Sequence, residues 1–552
     1  MPYLRRFPVY LAIFLPVALL LATVLFYSET LFFADDFHLL KTVVWFQETD
    51  SFYQKIQLLM QQHNEHRIVF PRLLTWLDYR LEGHINWITL MVLGNLVWCG
   101  VLYFLWDAFR TLKLNPWLFF PVPWLLLHPF YYDNLTWTIS VLQQSVIVFI
   151  LSWLVYAFAN RRFLLAIAVV LLGTFTHGNG IFGFAVGVVF LTIYREWRWL
   201  GIWLVVAYIT AVVYFYGFEK GQNADFVRSL SDPLRLMAYF CTFLGAITQI
   251  FGPKEWPAVA WGAIVVGGIG WFGFPKIYAH FQSIRTLSYF EKMLLGNLLF
   301  VGITALLVAV SRSWSATNLL IPPRYAHYSP FITSWFYLVG LAVLARPYAS
   351  RWALGWGLGA VVLCLVSYLN YFTTLEYRRD WLRADKANWE NYSVFLQYAP
   401  SFNHNIRDVY RSAVERGICY HPSDLPARFT SASADSTLNL TFEKGFSVSQ
   451  DASGEYREKI LRVSSQTLQN ETPFLVLVAE NRPVLWVPFY RMRNAYRYML
   501  EGQGFKKRDL TTEILLDNLP EGTFQLGIYC NQELRMTTHH LQIGANHAVL
   551  IY

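Results

Sequence analysis

The chain has 552 residues, of which 55% are hydrophobic and 14% charged, and its mean hydropathy is +0.34. An average soluble domain carries nearly twice that charged fraction, so a large part of this chain is expected to face lipid. The formal net charge is +8. Much of it comes from Lys and Arg in short connectors between apolar runs, which is a signal of membrane topology and argues against nucleic-acid binding.

The first apolar stretch begins a series of predicted membrane spans. It follows Arg5 and Arg6 and covers residues 8–27 without a small-residue cleavage site, which favours a retained helix over a cleaved signal peptide. Eleven or twelve crossings are predicted. The segments are 8–27, 86–106, 116–130, 141–159, 163–177, 180–194, 199–217, 236–252, 257–275, 293–310, 331–345 and 352–372.

Basic residues in alternate connectors predict the topology. The N-terminus and these connectors are assigned to the cytoplasm, and the loops 28–85, 131–140, 218–235 and 311–330, with everything after 372, to the outer side. The basic residues of the connectors are Arg110/Lys113, Arg161-Arg162, Arg195/Arg198, Lys276/Arg285/Lys292 and Arg346/Arg351. One parity problem arises, because two apolar segments, 236–252 and 257–275, lie where only an odd number of crossings fits. One of them is expected to be re-entrant or to lie flat, with Gly252-Pro253 as the break.

The character of the chain changes after about residue 375. Charged residues become frequent, and short alternating stretches predict strands at 437–442, 459–463, 474–478 and 523–529. We therefore predict a transmembrane domain at 1–375, a helical connector at 376–425 and an outer β-rich, sandwich-like domain at 426–552. If that domain faces an oxidising compartment, Cys419 and Cys530 are candidates for one disulfide.

An acidic pair, Asp35 and Asp36, directly follows the first predicted span, with His38 two residues further on. A partly buried carboxylate at the mouth of a membrane cavity suits a general base, and only one of two adjacent side chains can point at a substrate. Asp36 is slightly preferred, because the following aromatic and histidine residues can bury it. The competing interpretation is a helix cap or a solvated loop.

A second ionisable cluster lies in the same outer loop, at His63, Glu65, His66 and Arg67. On an amphipathic surface helix, the two histidines and the arginine would share one face, a geometry suited to gripping a phosphate. Imidazole and carboxylate ligands also suit a divalent cation, but the spacing fits no established zinc motif, so no metal site is assigned.

Further candidates lie in the other outer loops. Two prolines precede Arg324 and Tyr325, so the arginine is held in a defined direction for a two-point phosphate contact. The alternative for this arginine is an interfacial anchor. Asn134, Gln143 and His177 lie at helix ends, where each can line a polar cavity, although a satisfied turn histidine is the simpler role for His177.

These features together resemble the GT-C superfamily of membrane glycosyltransferases, and within it the bacterial GtrII-like O-antigen glucosyltransferases. The resemblance covers roughly residues 1–372. The residues that carry it are Asp35-Asp36-Phe37, Asn64-Glu65-His66-Arg67, the stretch from Asn134 to Gln143, and Arg324-Tyr325. It implies that Asp35 or Asp36 is the catalytic base and that Arg67 and Arg324, with Tyr325 and His66, bind the donor phosphate. His38, Glu65, Asn134, Gln143 and His177 are then expected to line the substrate cavity.

The resemblance implies an enzyme of cell-envelope polysaccharide or glycoconjugate synthesis in the inner (plasma) membrane. Its donor would be a polyprenyl-phosphate sugar in the bilayer, and its acceptor an outer glycan, lipid-linked sugar or protein. No cofactor is firmly expected, and a divalent cation stays open. The alternatives are a transporter or flippase of lipid-linked sugars and a glycan polymerase or ligase, although the ionisable groups collect at one predicted surface, which favours an enzyme.

Overall fold

A computed structural model describes residues 7–551 except 220–225, 283–284, 317, 420–421, 430–431, 436–437, 439, 452–453, 466–472, 481, 491–509 and 545–548, with side chains described outside 7–11, 226 and 447–457. Arg5, Arg6 and part of the predicted strand 437–442 lie outside the described residues. The chain divides into two compact units. The first comprises Met1–Phe26, Thr49–Leu74 and Thr89–Tyr368, and the second comprises Tyr27–Glu48, Thr75–Ile88 and Leu369–Tyr552.

The described chain is mainly helical up to residue 415. Its α-helices are Phe7–Tyr27, Phe37–Glu48, Phe52–Met60, Val69–Glu82, Trp87–Cys99, Val101–Arg110, Pro121–Leu126, Asp133–Thr136, Thr138–Ser140, Val146–Ala159, Phe163–Thr174, Gly183–Ile193, Trp197–Phe215, Phe226–Ser231, Pro233–Gly245, Glu255–Phe281, Tyr289–Arg312, Pro323–Ala326, Tyr328–Val343, Arg346–Tyr392 and Pro400–Glu415. Short 3-10 helices cover Ala34–Asp36, Pro116–Phe119, Pro129–Tyr131, Gly178–Phe182, Ala246–Phe251 and Leu516–Asn518, and Val141–Ser145 forms a π-helical turn.

Among the described residues, seven helices are long and apolar enough to cross a membrane. They are Trp87–Arg110, Thr138–Ala159, Trp197–Phe215, Pro233–Phe251, Glu255–Phe281, Tyr289–Arg312 and Arg346–Tyr392. This number is lower than the eleven or twelve predicted crossings, because several predicted spans form shorter helices, such as the 12 residues of Phe163–Thr174. The apolar helices nonetheless support the prediction of a polytopic membrane protein.

The predicted span at 116–130 is wrong as a continuous helix. The structure breaks it into the short pieces Pro116–Phe119, Pro121–Leu126 and Pro129–Tyr131. Each piece starts at a proline, which lacks the N–H group that a continuous helix needs and clashes with the preceding turn. Residues 121–130 are buried, whereas Pro116 and Trp117 are exposed, so the hydropathy of the segment agrees with burial of its second part only.

Contacts within the first unit bear on the parity problem. At the start of the helix Pro233–Gly245, the guanidinium of Arg235 donates to the carbonyls of Ser313 (2.7 Å) and Ala316. Beyond its other end, Gln249 Oε1 accepts from the backbone N–H of Ile321 at 3.4 Å. Both ends thus contact one short segment, 313–321. Both Pro233–Phe251 and Glu255–Phe281 are long and apolar enough to cross, so the expectation that one of the two segments is re-entrant or lies flat stays a prediction.

The helices Pro233–Gly245 and Glu255–Phe281 pack with their backbones close together at Gly262, where an added Cβ would overlap the carbonyl of Cys241. We expect Gly262→Ala to lower the free energy of unfolding by about 1–3 kcal/mol, because backbone rather than a flexible side chain must move. Thermal unfolding in detergent measures this change. The matched control is Gly267→Ala on the same helix, since its Cβ meets nothing within 4 Å. Equal unfolding midpoints for both variants would contradict the close packing.

Two β-sheets follow in the second unit, which confirms the predicted β-rich C-terminal region. Antiparallel strands Leu440–Asp451, Gly454–Ser465 and Leu510–Leu515 form one sheet. The other has the order Val549–Ile551, Glu533–Ile543, Gly522–Cys530, Phe474–Val478 and Leu485–Pro488, with Ser433–Ala434 paired in parallel to Glu533–Ile543. Leu461 of the first sheet, Trp486 of the second and Ala384 of the helix Arg346–Tyr392 join one hydrophobic core.

The candidate disulfide is not present. Cys419 and Cys530 are both buried and are not bonded to each other. Each therefore fills space in the interior of the second unit as a small apolar side chain.

Candidate functional site

Residues 62–67 form a tight β-hairpin in the first unit. Gln62 pairs with Arg67 and His63 with His66 across a two-residue turn, in which Asn64 takes a positive φ of 48°. The predicted surface helix is therefore wrong at this position. Paired residues share a face of a hairpin and adjacent residues alternate, so the two histidines lie on one face and Arg67 on the other.

Arg67 anchors this hairpin. Its guanidinium donates hydrogen bonds to the backbone carbonyls of Met60, Tyr214 and Tyr216, using all three nitrogens. Only 6% of the residue is exposed. The chain itself thus takes three of the five N–H donors of this guanidinium, and Arg67 ties the hairpin to the end of the helix Trp197–Phe215.

A pocket of about 300 Å³ opens beside the hairpin, within the first unit. Its wall combines segments that the predicted topology places on the outer side, and it has a polar and an apolar part. The polar residues are Glu65, His66, His177, Asn179, Ser311, Arg312 and Tyr325, and the apolar part includes Phe182, Phe215, Phe218, Leu307 and Val308. Such a wall suits an amphipathic ligand that carries a charged or polar group on an apolar chain.

Arg312 is the pocket residue that the sequence did not single out. It is half-buried at the C-terminal end of the helix Tyr289–Arg312, and no described residue accepts a hydrogen bond from its guanidinium. A single arginine at the end of an apolar helix is the ordinary pattern of an interfacial anchor. Only the folded chain shows that it lines a pocket.

Three histidines continue inward from the pocket. The rings of His66 and His177 lie 4.3 Å apart between centroids, and His177 Nδ1 accepts the N–H of Asn179 at 3.2 Å. A neutral His177 therefore carries its proton on Nε2, 3.0 Å from the side-chain amide of Gln144, so the amide oxygen of Gln144 must face it. His177 is thus both a satisfied turn histidine and part of the pocket wall.

The third histidine, His327, fixes the segment that carries Arg324. Its Nε2 donates to the carbonyl of Gln144 (2.8 Å), and its Nδ1 accepts from Asn134 (2.9 Å). Asn134 also donates to the carbonyl of Arg324 at 3.1 Å, and accepts from the hydroxyl of Ser140 at 2.6 Å. With these bonds made and no exposure, Asn134 supports the Arg324 segment and lies outside the pocket wall.

Gln143 and Arg324 do not lie where their predicted roles require. Gln143 is buried in the π-helical turn Val141–Ser145, and its neighbour Gln144 is the residue that reaches His177. The guanidinium of Arg324 lies over the ring of Tyr325, 5.3 Å from its centroid. Tyr325 lines the pocket, and Arg324 does not. A π-helical turn shifts the register by one residue, which the sequence pattern did not reveal.

No protein-family model, curated protein or solved structure matches this chain. Among the described residues, no group of three His, Cys, Asp or Glu side chains is placed to hold a metal ion.

The acidic pair belongs to the second unit. Asp36 is 2% exposed and closes the 3-10 turn Ala34–Asp36, because its Oδ2 accepts the N–H of Phe33 at 3.2 Å. The hydroxyl of Tyr398 accepts the N–H of Ala34 at 3.1 Å, which holds the same turn. Asp35 and His38 are half-buried. The predicted burial of Asp36 is present, but it accompanies a capping role, so Asp35 is the more accessible carboxylate.

The stability of the first unit should fall in acid through His66. Burial, and then the nearby positive charge of Arg312, lower the pKa of His66 from 6.5 to about 4. The unfolded chain therefore binds the proton more readily, so the contribution to stability is complete above pH 6.5, declines as the pH falls from 6.5 to about 4, and levels off below that, with a loss of up to about 3 kcal/mol. Unfolding midpoints measured from pH 7.5 to 4 should decline less for His66→Gln than for wild type, while His404→Gln, at an exposed site, should follow wild type. Parallel curves for all three would contradict this origin.

Proposed function

We propose that the protein is a membrane glycosyltransferase that transfers a sugar from a polyprenyl-phosphate donor to an acceptor on the outer side of the membrane. The observation that carries this proposal is the amphipathic pocket beside the hairpin 62–67. The guanidinium of Arg312 would bind the donor phosphate, and the hydroxyl of Tyr325 would assist it. The apolar side, which includes Phe215 and Leu307, would receive the first part of the lipid chain.

The contacts of the arginines support a revised assignment. Arg67 spends its donors on backbone carbonyls, whereas no described residue accepts from the guanidinium of Arg312. A fixed cation at the leaving phosphate stabilises negative charge as it develops, and this is the largest electrostatic contribution that such a site can make. We therefore place Arg312 at the donor phosphate and give Arg67 a structural role.

The reaction is a single displacement with inversion. A carboxylate takes the proton of the acceptor hydroxyl, the hydroxyl oxygen bonds to the anomeric carbon, and the bond from that carbon to the phosphate oxygen breaks. Polyprenyl phosphate leaves with the bonding electron pair. We assign the base to Asp35, because its side chain is half-buried, whereas Asp36 is 2% exposed and closes its turn.

The test uses purified full-length protein in liposomes supplied with a set of radiolabelled polyprenyl-phosphate sugars and an extract of envelope glycans. The proposal expects label to move from the lipid to a polar product, with polyprenyl phosphate released in equal amount. If the labelled lipid only changes leaflet and stays intact, the protein is a transporter. If no donor is consumed or moved, glycosyl transfer is overturned.

A further inference from the structure

A second cavity, of about 560 Å³, lies in the first unit away from the hairpin pocket and has an almost entirely apolar wall. Three tryptophans define one side of it. The ring of Trp356 lies 5.3 Å from Trp352 and 6.0 Å from Trp261 between centroids. The indole N–H of Trp261 donates to Thr333 Oγ1 at 3.2 Å, and that of Trp352 to the carbonyl of Tyr337 at 3.3 Å. These bonds fix two of the rings, so the groove is a built feature.

Trp352 and Trp356 belong to the helix Arg346–Tyr392, and residues that recur every four positions on this helix also line the groove. Arg351, Gly355, Gly359 and Leu363 all line the cavity. A Cβ added at either glycine would meet nothing within 4 Å, so the groove exists because these positions have no side chain. The neighbouring Leu358 is 64% exposed, as expected for a surface that faces hydrocarbon.

The dimensions and charge of the groove indicate its occupant. The helix rises about 18 Å from Arg351 to Leu363, and one leaflet contributes about 15 Å to the hydrocarbon core. Arg351 is exposed, and no described residue accepts a hydrogen bond from its guanidinium. The predicted topology places this end of the helix in the cytoplasmic leaflet, where anionic lipids concentrate. A helix of a second copy would instead cover this arginine with apolar surface.

We infer that this groove is a lipid-binding site, in which one acyl chain of an anionic phospholipid lies along Gly355 and Gly359 and its phosphate binds Arg351. The phosphate meets the guanidinium at the bilayer surface, and the chain runs toward the midplane along the helix, beside the tryptophan rings. The occupant is a resident membrane lipid, distinct from the donor proposed for the hairpin pocket, whose polar end lies at the predicted outer side.

Native mass spectrometry of the full-length protein, titrated with phosphatidylglycerol or phosphatidylcholine, tests the inference. The expected result for Arg351→Gln is a loss of affinity for phosphatidylglycerol of roughly tenfold, with little change for phosphatidylcholine. Gly359→Leu fills the groove and should weaken binding of both lipids. The controls are Arg346→Gln, an exposed arginine five residues earlier on the same helix, and Gly270→Leu, whose site is also open.

Each other outcome overturns the inference. Equal lipid binding by Gly359→Leu and wild type would mean that the groove holds no chain. Unchanged phosphatidylglycerol affinity in Arg351→Gln would remove the assigned phosphate contact. A dimer that Gly359→Leu dissociates would assign the groove to a second copy, and displacement of phosphatidylglycerol by an equal concentration of polyprenyl phosphate would assign it to the donor lipid. None of these binding measurements requires glycosyl transfer, so their outcome is independent of the test of the proposed function.

Discussion

Replacing Arg312 by Gln should lower the rate of sugar transfer by about a hundredfold or more, the loss typical of removing one fixed donor from a developing negative charge. The guanidinium lies in the pocket wall without a described acceptor, so its charge is available to a ligand. Arg312→Lys keeps the charge but loses the planar two-point contact, and should retain an intermediate rate. Initial rates over a range of donor concentrations measure both effects.

Further variants distinguish the roles of Arg312, Arg67 and Arg324, with Arg198 as the control. Arg198→Gln removes an exposed arginine at the start of the helix Trp197–Phe215 and should leave the rate unchanged. Arg67→Gln should lower the yield of folded protein, because three backbone carbonyls lose their donor. Normal transfer by Arg312→Gln with a large loss in Arg324→Gln would return the phosphate role to the arginine that the sequence suggested.

The sequence predicted elements whose pattern is local and strong. Long apolar runs became helices, and the alternating stretches 474–478 and 523–529 became strands Phe474–Val478 and Gly522–Cys530. In helices and in strands the periodicity of apolar side chains determines which face is buried, so the sequence pattern predicts the element. The segment 116–130 failed because hydropathy reports burial, while its prolines decide the backbone.

The site was harder to predict, because its residues come from distant parts of the chain. Glu65, His66 and Arg312 meet in one pocket wall, but only the first two lie in a polar cluster that a reader of the sequence would notice. The hairpin was missed because four paired residues are too few to show an alternating pattern, and the turn Asn64–Glu65 lacks the glycine that marks most such turns. Roles that depend on backbone acceptors, such as that of Arg67, leave no trace in residue spacing.

The unit boundaries carry a related lesson. The composition changes near residue 375, yet the second unit begins at Leu369 and also contains Tyr27–Glu48 and Thr75–Ile88 from the predicted first outer loop. A change in composition marks one boundary along the chain, whereas a compact unit can consist of segments that are far apart in the sequence. The acidic pair thereby belongs with the β-rich part of the chain, which the linear division into domains could not express.

Asp35→Asn should abolish measurable transfer, with a fall of about 10²–10⁴-fold, because an amide cannot take the proton of the acceptor hydroxyl. Asp36→Asn should have a much smaller effect. Its amide oxygen can still accept the N–H of Phe33, the contact that closes the turn Ala34–Asp36. Thermal unfolding should be near wild type for both variants, so a difference in rate between them reports chemistry.

Asp36→Ala separates the two roles further. Removing the acceptor from the turn should cost about 1 kcal/mol of stability, as for other lost helix caps, with the rate falling only as the folded fraction falls. Rates are therefore compared per folded protein, measured by size-exclusion chromatography of the same samples. If Asp36→Asn is inactive while folded and Asp35→Asn is active, the base is the buried carboxylate, and its contact with Phe33 must open during the reaction. Full activity in both amide variants would exclude the pair as a base, since neither amide can accept a proton at neutral pH.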